Sequence, residues 1–304
     1  MDSERTSPAR ALDDVASAFD ELRTHLFGIA YRVLGSVTEA EDVVQDVWLR
    51  WQNADRSVVV DPAGFLARIT TRLAINVAQS ARSRRETYVG PWLPEPVDTS
   101  DDPAVGAERA EAVEFAVLLL LEKLTPNERA AYVLREAFDY PYPQIAEILR
   151  LSQANVRQIV SRARKRLAAE RRERVDAAEH RRLLEAFVAA ARLGDVAALE
   201  TMLTADAASY ADGNGARGAA RTVVVGAARV AMLVSAVPKF WPGADVTAVE
   251  VNGLPGVVFS RDGTDLVLVT AAASGAGIYQ LMWIMSPEKL KGFALSRKRF
   301  EKKG

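Results

Sequence analysis

A short segment in the middle of the chain combines side chains that hydrogen-bond to base edges with side chains that bind phosphates. The first turns after Ser152 carry Gln153, Asn155, Arg157 and Gln158, and the segment contains no acid. Amide and guanidinium groups at the start of a helix reach base edges in a major groove. Cations further along favour backbone phosphates, which supply the salt-sensitive part of DNA binding. These cations are Arg162, Arg164 and Lys165.

The pattern around this segment predicts a helix-turn-helix over residues 142–168. Ile145, Ile148 and Leu149 indicate a short helix after two prolines, and Ser152 is a natural N-cap for the next helix. That helix repeats apolar residues at helical spacing: Val156, Ile159, Val160, Ala163 and Leu167. Two short helices joined by a tight turn, the second one basic, are typical of DNA-binding motifs. For this block alone, a solvated basic face is the competing interpretation.

Composition argues against several kinds of site. The chain has 304 residues, enough for two or three domains, and its hydrophobic fraction of 49% is typical of a folded protein. It contains no cysteine and only two histidines, His25 and His180, which argues against disulfides, thiolate zinc sites and multi-histidine metal sites. The N-terminus lacks the apolar core of a signal peptide, and no run matches a membrane helix. We expect a cytoplasmic protein without a metal, a cofactor or a membrane segment.

Helix formers, prolines and strand formers are segregated along the chain. A mixed lead-in occupies residues 1–18, and a first helical block occupies residues 19–86. Residues 87–107 contain four prolines, which is typical of a linker. A second helical block, which includes the helix-turn-helix, covers residues 108–173. Residues 177–304 begin with helices, continue with strand-rich runs and end in a basic tail. The sequence therefore predicts two all-α domains followed by an α+β domain.

The helix predicted at residues 38–51 has an apolar stripe and an acidic face. The stripe consists of Val43, Val44, Val47, Trp48 and Trp51. The opposite face carries Asp42, Gln45, Asp46 and Leu49. Asp42 and Asp46 lie one turn apart, and like charges at this spacing destabilise a helix by a few tenths of a kcal/mol. An acidic face with an exposed leucine indicates a partner-binding surface, and a solvated helix face is the alternative.

The following helix, at residues 61–86, becomes rich in arginine toward its end. Asp61 and Pro62 form a typical helix start. An apolar stripe contains Phe65, Leu66, Ile69, Leu73 and Val77, and outside it lie Arg68, Thr71, Arg72, Asn76, Gln79, Arg82, Arg84 and Arg85. Such a helix suits a nucleic-acid surface, and surface solubility is the alternative. The loop before it, residues 52–60, lacks packing signals and offers a place to hold a flipped base.

The last region combines helices with predicted β-hairpins. Helices are predicted near residues 177–193, 196–203 and 226–240, with a turn at Ala211–Gly215. Strand-rich runs occur at Val246–Val251, Gly256–Ser260 and Asp265–Ala271. Asn252-Gly253 and Asp262-Gly263 separate these runs and are typical hairpin turns, so antiparallel strands are expected.

The two helical blocks resemble a known family. AEDVVQDVWLRW, followed by FLARITTRLAINVAQSARSRRE, resembles region 2 of the extracytoplasmic-function (group 4) sigma factors. LLEKLTPNERAAYVLREAFDYPYPQIAEILRLSQANVRQIVSRARKRL resembles their region 4. The resemblance implies that the face with Asp42 and Leu49 docks on the β′ clamp helices of core RNA polymerase and that region 4 meets the β flap. It also implies that residues 52–60 and 76–85 engage and open the −10 promoter element, and that residues 152–166 read the −35 element.

The linker and the last region resemble one subset of this family, which carries an appended SnoaL-like domain. YVGPWLPEPV matches a linker motif of that subset through Trp92, Leu93, Pro94, Glu95 and Pro96. Asp212-Gly213-Asn214-Gly215-Ala216 resembles its DGGGK motif, although Asn214 replaces a glycine and Ala216 replaces the lysine, for which Arg217 is the nearest substitute. Ser286-Pro287-Glu288-Lys289-Leu290 resembles its NPDKL motif. For both of these, plain turn chemistry is the alternative.

The resemblance to this subset implies an α+β cone in which a curved antiparallel sheet wraps on helices. Such a cone encloses a pocket, and the sequence does not identify a small-molecule ligand for it. The resemblance further implies that the domain contacts the Trp92–Pro96 linker and acts in place of a separate anti-sigma protein. No histidine lies at a spacing that would make it an acid–base partner of Asp206, Asp212 or Asp245. This favours regulation over acid–base catalysis.

Two other classes of function remain open from the sequence. The first is a helix-turn-helix repressor with a ligand-binding domain, which would bind duplex DNA tightly without polymerase. The second is a bifunctional enzyme that uses the C-terminal pocket, which would turn over a small molecule.

Overall fold

The computed structural model describes residues 8–85, 87–99, 115–170, 172–173, 175–216 and 218–301. These residues form two compact units. The first contains the chain up to Arg82 together with Leu121–Arg166, and the second contains Ser83–Leu120 and the chain from Leu167 onward. The first unit is all-α and the second is α+β, which confirms the predicted fold class.

Three helices form the N-terminal part of the first unit. They are α1 (Pro8–Leu34), α2 (Val37–Gln52) and α3 (Pro62–Arg85), with a short 3-10 helix at Arg56–Val58. Ser36 caps α2 by accepting from the Glu39 amide at 3.1 Å, and Asp61 caps α3 by accepting from the Gly64 amide at 2.9 Å. The helix α1 already begins at Pro8, within the predicted lead-in, because residues 8–18 are rich in alanine and other helix formers.

The buried face of α3 differs from the predicted stripe. Leu66 is buried as expected, but Phe65, Ile69, Leu73 and Val77 are only half-buried. Besides Leu66 and Ile75, the core face contains small or hydroxyl-bearing residues: Ala67, Thr70, Thr71, Ala74 and Ala78. The two threonines tolerate burial because their hydroxyls donate to helix carbonyls one turn earlier, Leu66 at 2.9 Å and Ala67 at 2.8 Å. The larger side chains of the predicted stripe therefore line clefts beside α3.

Most of the second helical block joins the first unit. It contains α4 (Phe115–Leu121), α5 (Pro126–Glu136), α6 (Tyr142–Leu149) and α7 (Gln153–Ala168). Thr125 and Glu128 form a capping box at the start of α5. The buried Arg129 of α5 donates to the Val33 carbonyl of α1 at 2.8 Å and to Glu122 at 2.5 Å. The helix α5 thus packs against α1, and α6 packs against α5.

The second unit has helices on a six-stranded sheet. Its helices are α8 (Ala177–Leu193), α9 (Val196–Thr201), α10 (Ala227–Val234), α11 (Val237–Phe240) and α12 (Pro287–Glu301). Its strands are β1 (Leu203–Asp212), β2 (Val224–Val225), β3 (Asp245–Val251), β4 (Leu254–Arg261), β5 (Thr264–Ser274) and β6 (Gly277–Ile284), in the sheet order β2-β1-β6-β5-β4-β3. The hairpin turns at Asn252-Gly253 and Asp262-Gly263 are confirmed, and all four residues have positive φ.

Two details of this sheet depart from the expectation. The strand β1 follows directly on α9, where the sequence predicts helix up to residue 203 and then a turn. It pairs with β6 in parallel, whereas the other pairings are antiparallel. The helix predicted at 226–240 is divided at Ser235-Ala236 into α10 and α11.

Both faces of the sheet are covered. One face forms a core with α8, α10 and their neighbours, and this core includes Phe187, Val230 and Trp283. The other face contributes Val258, Leu268 and Met282 to a second core. That second core is completed by three segments from outside the sheet, through Leu93 of the linker, Phe115 and Leu119 of α4, and Leu290 and Phe293 of α12. The linker and the start of the second helical block are therefore part of the α+β unit.

Within the part of the chain that the structure describes, no helix is long and apolar enough to cross a membrane. The same residues contain no group of three or more side chains arranged to hold a metal ion.

Candidate nucleic-acid interface and linker clamp

The predicted base-reading side chains lie together on the free face of α7. Gln153, Asn155, Arg157 and Gln158 are all exposed in its first two turns. Ser152 caps the helix by accepting from the Asn155 amide at 3.2 Å. Val156, Ile159, Val160, Ala163 and Leu167 are buried on the opposite face, as the spacing predicts. The hydrophobic stripe thus fixes which side chains of α7 point away from the core.

The cations of this helix are not equivalent. Arg162 and Lys165 are exposed, and the guanidinium of Arg157 lies 5.4 Å from the centre of the Tyr142 ring. Arg164 instead makes a two-nitrogen contact with Glu136 of α5, at 2.6 and 3.0 Å. Because both of these side chains are partly solvated, the pair contributes little to stability.

The acidic face of α2 is solvent-exposed throughout. Val43, Val44, Val47 and Trp51 are buried beneath it. Asp42, Gln45 and Asp46 are exposed beside Leu49, which has 49% of its surface exposed. A leucine this exposed, surrounded by acids and an amide, is a candidate contact for a partner with a basic and apolar surface.

A cleft of about 380 Å³ lies between the loop at residues 52–60, the start of α3 and α6. Val58 and Val60 line it and are exposed by 73% and 99%. Phe65 also lines it, and the Arg68 guanidinium lies 5.5 Å from the centre of that ring. Asp61 and Glu147 line the cleft as well, and Glu147 pairs with Arg68, so the Phe65 ring is the group that suits stacking of a single base.

The residues predicted to contact the −10 element lie further along α3. Asn76 and Gln79 are exposed on one side of this helix. Arg82, Arg84 and Arg85 belong to its last turns, but their side chains lie outside the described part of the structure.

Two arginines of α3 contact the helix-turn-helix. Arg68 forms an ion pair with Glu147 of α6 at 2.6 Å. Arg72 donates from Nε to the Ile148 carbonyl at 2.8 Å and from Nη2 to the Glu147 carbonyl at 3.0 Å. The sequence pattern places both arginines on a nucleic-acid face, whereas in the structure they bind the C-terminal end of α6. Positive side chains at a helix C-terminus interact favourably with its unpaired carbonyls.

Asp212, at the end of β1, is the centre of a buried polar cluster. It is fully buried, and its carboxylate accepts hydrogen bonds from three groups among the described residues. The Leu93 amide donates to Oδ2 at 2.7 Å, the Lys289 ammonium donates to Oδ2 at 2.6 Å, and the Tyr88 hydroxyl donates to Oδ1. Two of these donors come from the linker and the third comes from α12. One carboxylate thus joins three segments that are far apart in the sequence.

Lys289 completes this cluster, which we call the linker clamp (Tyr88, Trp92, Leu93, Asp212 and Lys289). Its ammonium donates to the Leu93 carbonyl as well as to Asp212, and it lies 4.3 Å from the centre of the Trp92 ring. Burial raises the pKa of Tyr88, and its hydrogen bond to Asp212 raises it further. A buried charge pair with this many hydrogen bonds holds the linker in one geometry.

A second set of hydrogen bonds, after the linker clamp, binds the linker to the edge of the sheet. Val97 and Asn252 exchange hydrogen bonds at 2.9 Å, through the Val97 amide to Oδ1 and the Asn252 amide to the Val97 carbonyl. Thr99 donates to Glu250 from its amide at 3.1 Å and from its hydroxyl at 2.7 Å. Asp98 forms an antiparallel bridge with Val251. Residues 97–99 therefore extend the edge of the sheet at β3.

The remaining residues of the linker motif, the Asp212–Ala216 motif and the Ser286–Leu290 motif have different environments. Leu93, Pro94 and Pro96 are buried and Glu95 is half-buried. Gly213 leaves no room for a side chain, because a Cβ there would lie 2.5 Å from that of Ala219. Asn214 and Gly215 form a turn with positive φ, which asparagine tolerates well, and Asn214 accepts from the Val89 amide at 3.4 Å. Pro287 and Glu288 are exposed, Ser286 is buried, and Arg217 lies outside the described residues.

Sequence reasoning did not single out Tyr88, Asn252, Thr99 or Glu250. Asn252 carries a signal, since it begins a predicted hairpin turn, but that signal concerns backbone conformation rather than a side-chain partner. Of the acids considered for catalysis, Asp206 pairs with Arg172 and Asp212 with Lys289, while Asp245 is exposed at the start of β3.

Comparison with known proteins places this geometry in a family. The family model for Sigma-70 region 2 matches residues 18–85, and the model for Sigma-70 region 4 matches residues 114–167. The chain is 36% identical to the ECF RNA polymerase sigma factor SigJ of Mycobacterium tuberculosis, over 95% of this chain and 97% of that protein. The chain belongs to the ECF RNA polymerase sigma factors. It is also 33% identical to the probable ECF sigma factor SigI of the same species, over 81% of this chain and 84% of that one.

The fold of this sigma factor agrees with a solved structure. The crystal structure of SigJ from Mycobacterium tuberculosis superposes with a TM-score of 0.74 at 32% identity, covering 91% of this chain and 98% of that one. ECF sigma factors are transcription initiation factors that bind core RNA polymerase and promoter DNA. Family membership therefore decides against the repressor and the enzyme that the sequence alone leaves open.

Proposed function

We propose that this sigma factor recognises promoters in two parts and that its α+β domain controls the distance between them through the linker clamp. The buried Asp212–Lys289 pair carries the regulatory part of this proposal, because it binds the linker from inside the domain. The protein acts in the cytoplasm, where core polymerase and DNA are found. No separate anti-sigma protein is required for this control.

Region 2 docks on core polymerase through α2. Charge comes from Asp42 and Asp46, and hydrogen-bonding capacity comes from Gln45. The exposed Leu49 supplies an apolar contact one turn further along the helix. The β′ clamp helices are the partner on polymerase. In protein interfaces a few side chains that become fully buried supply most of the binding energy.

Region 2 also opens the −10 element. A base that leaves the duplex enters the cleft beside Val58, Val60 and Phe65, which offers a ring for stacking. Asn76 and Gln79 contact the neighbouring nucleotides from the exposed side of α3, with Arg82, Arg84 and Arg85 following along the strand.

Region 4 reads the −35 element with α7. The base-edge contacts come from Gln153, Asn155, Arg157 and Gln158, which are exposed at the start of the helix. Phosphate contacts come from Arg162 and Lys165, and from Arg164 once it leaves Glu136. The β flap of polymerase is the expected protein partner of region 4.

The clamp limits how far the linker extends. Contacts from Tyr88 at one end to Thr99 at the other hold residues 87–99 on the domain. Fully released, these thirteen residues would span at most about 45 Å, since an extended chain covers 3.3–3.6 Å per residue. Because regions 2 and 4 bind separate DNA elements, releasing this length widens the range of separations they can adopt.

Run-off transcription with core polymerase tests the promoter-reading part. Initiation sites on genomic fragments are first mapped with the full chain. Asp42→Ala combined with Asp46→Ala should weaken core binding by about 5- to 30-fold, which corresponds to about 1–2 kcal/mol for two interface charges. Glu185→Ala with Glu200→Ala is the matched control, because it removes two exposed acids from the α+β domain. Equal core affinity for both double variants would show that the docking assignment is wrong.

The same assay tests the clamp. Lys289→Met should raise the run-off yield from the mapped promoters without changing where transcription starts. Lys291→Met, an exposed lysine on the same helix, should leave the yield unchanged. The regulatory proposal fails if Lys289→Met frees the linker, as measured by hydrogen exchange, and leaves the yield at the parent level.

A further inference from the structure

A second cleft in the first unit is lined by arginines from three different elements. Arg50 lies in the last turn of α2, Arg72 lies on α3 and Arg150 directly follows α6. The cleft has a volume of about 450 Å³, and no aspartate or glutamate lines it. Ile69, Leu73 and Ile148 give it an apolar floor.

The positive charge in this cleft is only partly balanced by nearby carboxylates: Glu147, which pairs with Arg68, acts on Arg72 and raises its pKa, but it does not line the cleft. Arg72 uses Nε and Nη2 on backbone carbonyls of α6, and burial lowers its pKa, with the charges of Arg150 and Arg68 lowering it further. Among the described residues, neither Arg50 nor Arg150 has a carboxylate within 4.0 Å. Guanidinium groups gathered around a cleft without an acid repel one another, and an anion between them would turn this repulsion into attraction.

The backbone at Arg150 is independent evidence for a role of this side chain. Its φ and ψ are 55° and 46°, the left-handed conformation that ends α6. A Cβ makes this conformation unfavourable, and glycine is the usual residue where a helix ends in this way. Arginine therefore occupies a position that favours glycine, and its side chain lines the cleft. Strained backbone of this kind is found preferentially at binding sites.

We propose that this cleft binds a free phosphate-bearing anion of nucleotide size. Guanidinium groups bind phosphate oxygens in pairs, the volume is that of a small-molecule site, and the apolar floor suits a base. The cleft is built by α2 and α3 of region 2 together with the end of α6 of region 4. The cleft is therefore complete only while α3 and α6 remain in contact. A promoter engages regions 2 and 4 at separate elements and does not require this contact. The geometry therefore favours a free anion over the DNA backbone as the ligand.

Such a ligand would control the contact between the two regions. A ligand that binds only when α3 and α6 are in contact stabilises that contact by mass action. It would reduce the fraction of molecules whose regions 2 and 4 are free to separate. The cleft shares Asn76 with the promoter contacts proposed above, whereas Arg50, Arg72 and Arg150 are not among those contacts. The consequence for transcription rests on the proposed function.

Calorimetric titration of the full chain, at about 0.15 M salt and without polymerase, tests the site. The probes are ATP, sodium tripolyphosphate and a short single-stranded oligonucleotide. ATP and tripolyphosphate should each bind with one-to-one stoichiometry, and ATP should slow amide exchange in α6. Arg150→Gly should weaken both by at least tenfold without lowering the unfolding temperature, because glycine adopts the left-handed conformation freely. Arg181→Ala, which removes an exposed arginine from α8, should change the affinities by less than twofold.

Three results would overturn the proposal. One is the absence of saturable binding of either free anion at millimolar concentration. The second is a folded Arg150→Gly variant that binds both anions as tightly as the parent. The third is binding of the oligonucleotide alone, which would assign the three arginines to the DNA backbone. Because polymerase is absent from the titration, these outcomes are separate from the success or failure of the transcription assays.

Discussion

Removing the Lys289 ammonium should destabilise the linker clamp far more than a surface substitution does. At 2.6 Å, and with an effective dielectric constant of about 20, the attraction between this ammonium and Asp212 is about 6 kcal/mol. Desolvation of the two charges cancels much of it, so the intact pair contributes little net stability. Lys289→Met leaves the fully buried Asp212 carboxylate with only the Tyr88 and Leu93 donors. Breaking a buried pair in this way costs about 3–5 kcal/mol.

The matched variants separate the charge effect from lost packing. Asp212→Asn added to Lys289→Met removes the stranded charge and keeps an oxygen acceptor for the Leu93 amide, so at least about 2 kcal/mol should be regained. Lys291→Met, on the exposed side of α12, should cost less than about 0.5 kcal/mol. Urea unfolding followed by tryptophan fluorescence gives the global stability. Hydrogen exchange at Leu93 gives the stability of the clamp alone, which matters because a chain with two units need not unfold in one step.

A small effect would refute this account of the clamp. If Lys289→Met costs less than about 1 kcal/mol and the Leu93 amide stays as protected as in the parent, the ammonium is not what holds the linker. The same conclusion follows if the double variant is no more stable than Lys289→Met.

Three further predictions concern single side chains. The pKa of Tyr88 is raised in the folded state, so its stabilising contribution is complete below the unfolded value of about 10 and is lost as the pH rises through the folded value. Burial also raises the pKa of Tyr140, so absorbance at 295 nm should show at least two late-ionising tyrosines, of which Tyr88→Phe should remove one. Phe115→Ala should destabilise the α+β unit by about 3–5 kcal/mol in urea unfolding, because this ring is fully buried in the core on the sheet. Arg150→Gly should raise the stability of the first unit by up to about 1 kcal/mol in the same experiment, because it relieves a left-handed arginine.

Local patterns were sufficient to predict the helix-turn-helix and the face of α2. In both helices a continuous apolar stripe separates buried from exposed positions, so the exposure of Asn155 and of Leu49 follows from spacing alone. The hairpin turns at Asn252 and Asp262 were predictable for a similar reason, since these residue pairs favour the positive φ that such turns require. In each of these cases the deciding interaction lies within a few residues along the chain.

The departures arise where distant parts of the chain decide the outcome. The core face of α3 consists mainly of alanine and threonine. Small side chains allow close helix packing, and the Thr70 hydroxyl is satisfied by a hydrogen bond within the helix. The parallel pairing of β1 with β6 joins residues about 70 positions apart and has no local signature. The contacts of Asp212 are of the same kind: its partners Lys289 and Leu93 lie 77 and 119 positions away. A family motif pointed to these residues, but only the structure brings them to one carboxylate.

The division of the chain between its two units bears on how the proposed control would work. The family match to region 4 begins at residue 114, yet α4 belongs to the α+β unit up to Leu120, with Phe115 and Leu119 in the core on its sheet. The linker is bound to the same unit over residues 87–99. The domain therefore holds the chain both before and after residues 100–114, on the path between region 2 and the rest of region 4. We infer that it needs no contact with DNA to set the distance between the two promoter-reading regions. Releasing the clamp alone should then give a smaller rise in run-off yield than releasing the clamp and α4 together.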